Sequence, residues 1–203
     1  IESTIKSNWL LDALTDYKGT TLQYHDVARK IEKLHIMMAD AGIQKGDRVA
    51  VCGRNSAHWA VAFMATLTYG AVIVPILHEF NGEQIHNIVN HSESRLLFVG
   101  DYVVNMIDEK EMPHLEGIFN LPDFSLYVSH NEQLTYAREH LNELFGNKFP
   151  NAFRREDIHW HHDQAEELCM INYTSGTTGF SKGVMLPYRA LWGNRSEERR
   201  VGK

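Results

Sequence analysis

Long apolar runs are missing from this chain of 203 residues, and none approaches the ~20 residues that cross a bilayer as a helix. The opening residues also lack the charged-then-apolar pattern of a secretory leader. Cysteine is scarce. Only Cys52 and Cys169 occur, each inside an apolar, strand-like run, which excludes a disulfide framework and fits buried, reduced thiols in a cytoplasmic protein. Basic residues are outnumbered, 20 Lys and Arg against 26 Asp and Glu, for a net charge of -6 and a pI near 6.0. With no basic patch in the body of the chain, a nucleic-acid surface is excluded. Internal repeats and low-complexity tracts are absent as well. What remains, 43% apolar and 23% charged, is the composition of an ordinary globular domain long enough to bury a core.

Against that plain background one stretch stands out: Ile171–Met185, INYTSGTTGFSKGVM, an apolar run, a loop dense in glycine and hydroxyls, and a second apolar run. Gly176, Gly179 and Gly183 allow positive φ and close backbone approach, so that successive N–H groups can form an anion nest. Thr174, Ser175, Thr177, Thr178 and Ser181 add hydroxyl donors, and Lys182 adds a point charge suited to polyphosphate. The P-loop pattern G-x-x-x-x-G-K-[ST] fails, because Gly176 and Gly179 are too close and Gly183 follows Lys182. GVML reads as a short strand, so loop amides and Lys182 would hold the anion without a helix dipole behind them. Composition alone leaves a second reading open, a solvent-exposed hairpin loop made of ordinary turn residues.

The order of residues narrows the choice. YTSGTTGFSKGVM resembles the signature [YF]-T-S-G-[ST]-T-G-x-P-K-G-V of the adenylate-forming superfamily, which includes acyl-CoA synthetases, adenylation domains and luciferases. Ser181 stands where that family usually has proline.

The rest of the chain alternates. After an amphipathic opening with Ile5, Trp9, Leu10 and Leu14, ALTDYKGTTLQY predicts two short strands around a Lys18-Gly19 turn. Val27, Ala28, Ile31, Leu34, Met38 and Ala41 recur at helical spacing, with Gly42 as the stop. GDRVAVCG, a helix capped by Ser56 and ending at Gly70, and AVIVP make a strand–helix–strand unit. Further helices are predicted near 83–90, 102–107 and 135–145, with strands at 95–99 and 117–121. The expected fold class is α/β, a parallel sheet with helices on both faces. LQYHDVARKIEKL, AGIQKGDRVAVCGRNSAHWAVAFMATLTYGAVIVPI and HNIVNHSESRLLFV are similar to the N-terminal part of the same superfamily, closest to bacterial long-chain fatty acid CoA ligases. The chain is therefore expected to be a truncated N-terminal AMP-binding domain over residues 1–194. RSEERRVGK (195–203) resembles translated adapter sequence and is expected to be non-native; without its four basic and two acidic residues the remainder is more acidic still.

Twelve histidines raise a metal reading, densest in His159, His161, His162, Asp163, Glu166 and Glu167. On a strand, His159 and His161 would share a face, yet no partner stands at zinc spacing, and a polar connection explains the cluster as well. No metal site is predicted. His58 and Trp59 fit either a ligand cleft or helix packing. Ser175 lacks a G-x-S-x-G setting, and no catalytic residue is assigned. Tyr188 and Arg189 follow the loop where relatives commonly carry histidine and arginine.

The resemblance implies an ATP-dependent ligase in which a fatty acid carboxylate forms an acyl-adenylate and coenzyme A then forms the thioester. Thr174, Ser175, Gly176, Thr177, Thr178, Gly179, Ser181, Lys182 and Gly183 would hold the distal phosphates of ATP, with Mg²⁺ sharing their charge. The implied partners are small molecules (ATP, fatty acid, coenzyme A), and peripheral membrane association is compatible with a lipid substrate. Relatives also carry a Y-G-x-T-E motif and a catalytic lysine in a C-terminal lid, and neither is found in this sequence. Three other readings stand beside this one: a nucleotide-binding module without chemistry, an inactive structural fragment, and another carboxylate-adenylating ligase.

Overall fold

The computed structural model describes residues 1–174 and 182–197. Helix α1 (Glu2–Ser7) leads into strands β1 (Asp12–Thr15) and β2 (Thr21–Gln23), which pair antiparallel around a turn where Lys18 takes φ 56°. Helix α2 (Tyr24–Asp40) follows, its first turn held by Asp26 accepting from the Gln23 N–H at 3.0 Å. Gly42, at φ 72°, reverses the chain after it.

Strand β3 (Arg48–Cys52), helix α3 (Ala57–Tyr69) and strand β4 (Val72–Ile76) form the expected unit. Ser56 Oγ accepts from the Trp59 N–H at 3.1 Å, and Asp16 reaches over from the β1–β2 turn to accept from the Ala57 N–H at 2.7 Å. Gly70, at φ 88°, stops the helix. The chain continues through α4 (Gly82–His91), β5 (Leu96–Val99), the single turn α5 (Asp101–Val104) and β6 (Gly117–Asn120). Then come β7 (Leu126–Ser129), α6 (Glu132–Glu139), α7 (Leu141–Lys148), β8 (Leu168–Thr174), β9 (Lys182–Pro187) and α8 (Tyr188–Glu197).

The strands form a seven-stranded sheet in the order β7-β6-β5-β3-β4-β8-β9. From β6 to β8 all neighbours are parallel. The expected parallel sheet is therefore the body of the fold, and its two edge pairs, β7 on β6 and β9 on β8, are antiparallel. A connection as short as 121–125 or 175–181 cannot make a crossover, so the chain returns beside the strand it left. The helix expected over 135–145 is two helices broken at His140.

Helices cover both faces, as expected. One apolar cluster joins Val49, Val51, Ile73, Leu96 and Phe98 to Val27, Ile31 and Leu34 of α2 and Val61 and Ala65 of α3. The other joins Ala50, Cys52, Val74, Leu97 and Val99 to Ile85, Ile88 and Val89 of α4 and Val103 of α5. Near-continuous apolar strands are what a sheet buried on both sides requires. Phe98 and Phe119 stack at 4.8 Å in the first cluster; a buried side chain of that size contributes ~1.5–3 kcal/mol.

Candidate functional site

Because β6, β5, β3, β4 and β8 run parallel, their carboxyl ends share one rim, and the glycine-rich loop springs from that rim after Thr174. Ligands of open α/β sheets gather at such a rim. The apolar alternation of the flanking runs makes β8 and β9 a hairpin in the register Ile171↔Met185, Asn172↔Val184, Tyr173↔Gly183 and Thr174↔Lys182. Of the predicted phosphate-holding residues, Thr174 closes β8, and Lys182 and Gly183 open β9, so the last rung of the ladder sets a hydroxyl residue opposite the lysine. Both side chains are exposed, and among the described residues no carboxylate pairs with Lys182. Ser175, Gly176, Thr177, Thr178, Gly179 and Ser181 lie outside the described residues. GVML is a strand, as the sequence predicts.

Gly183 has a reason of its own. Its φ is not positive, but a Cβ there would lie 3.0 Å from the ring of Tyr173 and 2.9 Å from Ile171 Cγ2. Close approach of the neighbouring strand, rather than a left-handed backbone, requires this glycine.

A second concavity on the same rim lies over β3, β5 and β6, with a volume of about 610 Å³, lined by Arg54, His58, Tyr102 and Leu121 among others. The connections after β3 and β5 leave toward opposite faces here, which makes it a topological switch point. His58 faces this hollow and also meets Phe124 edge-on at 5.1 Å, and burial pushes its pKa down. Trp59 packs flat on Phe63 at 5.3 Å. Cleft and packing roles thus fall to different neighbours.

The histidine-rich segment is not a strand; 158–164 is irregular. His161 Nε2 meets Glu167 Oε2 at 2.9 Å, and Lys45 Nζ reaches the same carboxylate at 2.9 Å. Burial raises the Glu167 pKa, but the hydrogen bonds from Lys45 and His161 outweigh it and the carboxyl stays below its usual range. Among the described residues no group of three His, Cys, Asp or Glu could hold a metal ion. Tyr188 is buried, and its hydroxyl donates to the Leu67 carbonyl at 2.7 Å, tying α8 to the end of α3. Arg189 pairs with Glu166 at 3.2 Å. Helix α8 runs through residue 194, and 198–203 of the tail lie outside the described residues.

Both cysteines are free and buried. Burial, with Glu79 adding, pushes the Cys52 thiol up to about 12, and burial, with Asp163 and Glu167 adding, pushes Cys169 to about 11. Neither is poised as a nucleophile. Sequence reasoning missed His91, whose Nδ1 lies 2.7 Å from the Tyr173 hydroxyl. Nothing local marks that histidine, since its partner is distant in the chain. No described helix is long and apolar enough to cross a membrane.

This architecture has counterparts. The chain is 26% identical over 171 residues to long chain acyl-CoA synthetase 3 of Arabidopsis thaliana, covering 83% of itself and 25% of that protein. It is 29% identical over 170 residues to the long-chain-fatty-acid–CoA ligase ACSBG2 of Rattus norvegicus, with the same coverage of 83% and 25%. The chain thus spans about a quarter of the length of these relatives. Among solved structures, the anthranilate CoA ligase AuaEII in complex with anthranoyl-AMP superposes with a TM-score of 0.73 at 19% identity, over 93% of this chain and 34% of that one. That likeness is one of fold. The profile of the family described as AMP-binding enzyme matches residues 10–200, nearly the whole sequence, and the chain belongs to that family.

Proposed function

We propose that this chain supplies the ATP-phosphate site of a two-step acid–thiol ligase acting on a long-chain fatty acid. The observation that carries the reading is the loop motif in its setting: the two stems of a hydroxyl- and glycine-rich segment reach the carboxyl rim, where Lys182 faces Thr174, both exposed and, among the described residues, without a carboxylate partner for the lysine. In the first step a carboxylate oxygen attacks the α-phosphorus of ATP as the bond to pyrophosphate breaks. Thiol attack on the acyl carbon then releases AMP. Thr174, Ser175, Gly176, Thr177, Thr178, Gly179, Ser181, Lys182 and Gly183 hold the β- and γ-phosphates, which orients the leaving group and steadies its growing charge. The exposed lysine and hydroxyl suit phosphate, whereas the described residues offer no cluster for a resident metal, so Mg²⁺ fits as a companion of ATP that shares the phosphate charge. Residues 1–194 are read as the N-terminal part of the AMP-binding domain of a cytoplasmic enzyme, and 195–203 as non-native.

Pyrophosphate release with ATP, Mg²⁺ and a long-chain fatty acid, measured on the protein extended to the length of its relatives, tests this. Lys182→Ala should slow release by on the order of 10²-fold, the effect of losing one preorganised electrostatic contact. The present chain alone should release none, because binding the distal phosphates without groups at the reacting atoms gives no acceleration. An unchanged rate in Lys182→Ala would sink the assignment.

A further inference from the structure

Tyr173 is 3% exposed, on the strand face that packs against α4. Its hydroxyl meets His91 Nδ1 at 2.7 Å, with the two rings perpendicular and 5.7 Å apart. His91 is the last residue of α4, a helix from a distant part of the chain. Across the ladder, the Tyr173 ring lies over Gly183, where any side chain would strike it. One rung further, Thr174 and Lys182 open into the loop. At the other end of the hairpin, β8 joins β4 through one paired position, Ile73↔Met170. Strand pairing therefore anchors the hairpin away from the loop, and a side chain anchors it beside the loop.

The geometry points to Tyr173, clamped between His91 and Gly183, as a positioning residue that fixes both stems of the phosphate loop. This deepens the function proposed above and rests on its phosphate reading. The ring sets the separation of β8 from β9, since bare glycine backbone lets it seat. The hydroxyl sets the hairpin against α4. With the hydroxyl gone, the ring keeps its seat and the hairpin keeps its ladder, but the loop end is free to swing relative to α4.

Trypsin cleavage of the Lys182–Gly183 bond reports the opening of that end, and calorimetry with Mg²⁺-tripolyphosphate reports the loop's grip, both on the full chain. Tyr173→Phe and His91→Asn should each speed cleavage about threefold to tenfold, the effect of one lost hydrogen bond. The double variant should be no faster than the quicker single one, because the two residues share one contact. Cleavage after Arg29 and Lys30 in α2 should not change, and tripolyphosphate affinity should fall by a similar factor. Equal cleavage of the Tyr173→Phe and parent chains, or additive effects in the double variant, would overturn the clamp. Faster local cleavage in the variants, with a parent that binds no tripolyphosphate, would uphold the clamp and overturn the phosphate reading instead. A rise in cleavage throughout the chain would mean that Tyr173 serves stability alone, which also refutes a positioning role.

Discussion

Strand β3 is paired along both sides, with β4 from Arg48 to Cys52 and with β5 from Val49 to Cys52, and Val49 through Cys52 are wholly buried. Among the described residues strand β9 is paired on one side, and Lys182 through Met185 are exposed, Met185 to 65%. Both runs are apolar enough to pass for core in the sequence. The difference lies in what covers them: β3 has a strand on each side and a helix layer on each face, while β9 ends the sheet. Local opening costs least where few apolar contacts must be broken, and binding loops are drawn from such places. The centre of the sheet supplies stability, and its β9 end presents the candidate site.

The largest test of that contrast is Phe98→Ala. Phe98 is fully buried against Phe119 and Phe124, so its loss should cost about 3–5 kcal/mol in denaturant unfolding. A cost below about 1 kcal/mol would erase the distinction between centre and edge. His35 sharpens it on the α2 side. Its Nε2 lies 2.9 Å from the Ala65 carbonyl, and burial pushes its pKa from 6.5 down to about 4, against an opposing pull from Glu32. The folded value lies below the unfolded one, so the neutral ring's contribution is complete above pH 6.5 and is lost as pH falls through 4. The loss should be on the order of 3 kcal/mol by the lower limit. Melting curves across that window should flatten in His35→Gln, and an unchanged slope would place the acid sensitivity elsewhere. At the small end, Met185→Gln on β9 should shift stability by no more than about 0.5 kcal/mol, as for a surface position. A cost of several kcal/mol would mean that Met185 is covered in solution.

Much of this was legible in the residues. Glycine carries its own signal, and Gly42 and Gly70 stop helices where the pattern says they should. Ser56 caps α3 for the same local reason. The strand GVML was readable because an apolar run follows turn chemistry. Strand β7 was not: Leu126–Ser129 is short and half exposed, with too little alternation to show a period. The break at His140 was hidden because apolar spacing continues through it, while φ -101° and ψ 15° end one helix and begin another. Within the candidate site, the phosphate proposal rests on the order of residues in the loop. The His91–Tyr173 contact and the crowding at Gly183 are products of tertiary packing, which no local pattern encodes.

The two cysteines divide the molecule in a way their number conceals. Cys169 belongs to the cluster under α2 and α3, and Cys52 to the one under α4 and α5. Each is shut away from solvent and kept as the unreactive thiol, so an alkylating reagent must wait until the layer above lifts. The sheet therefore carries one chemical stopwatch per face, and the two rates of modification time the opening of its two sides separately, without a label having to be introduced.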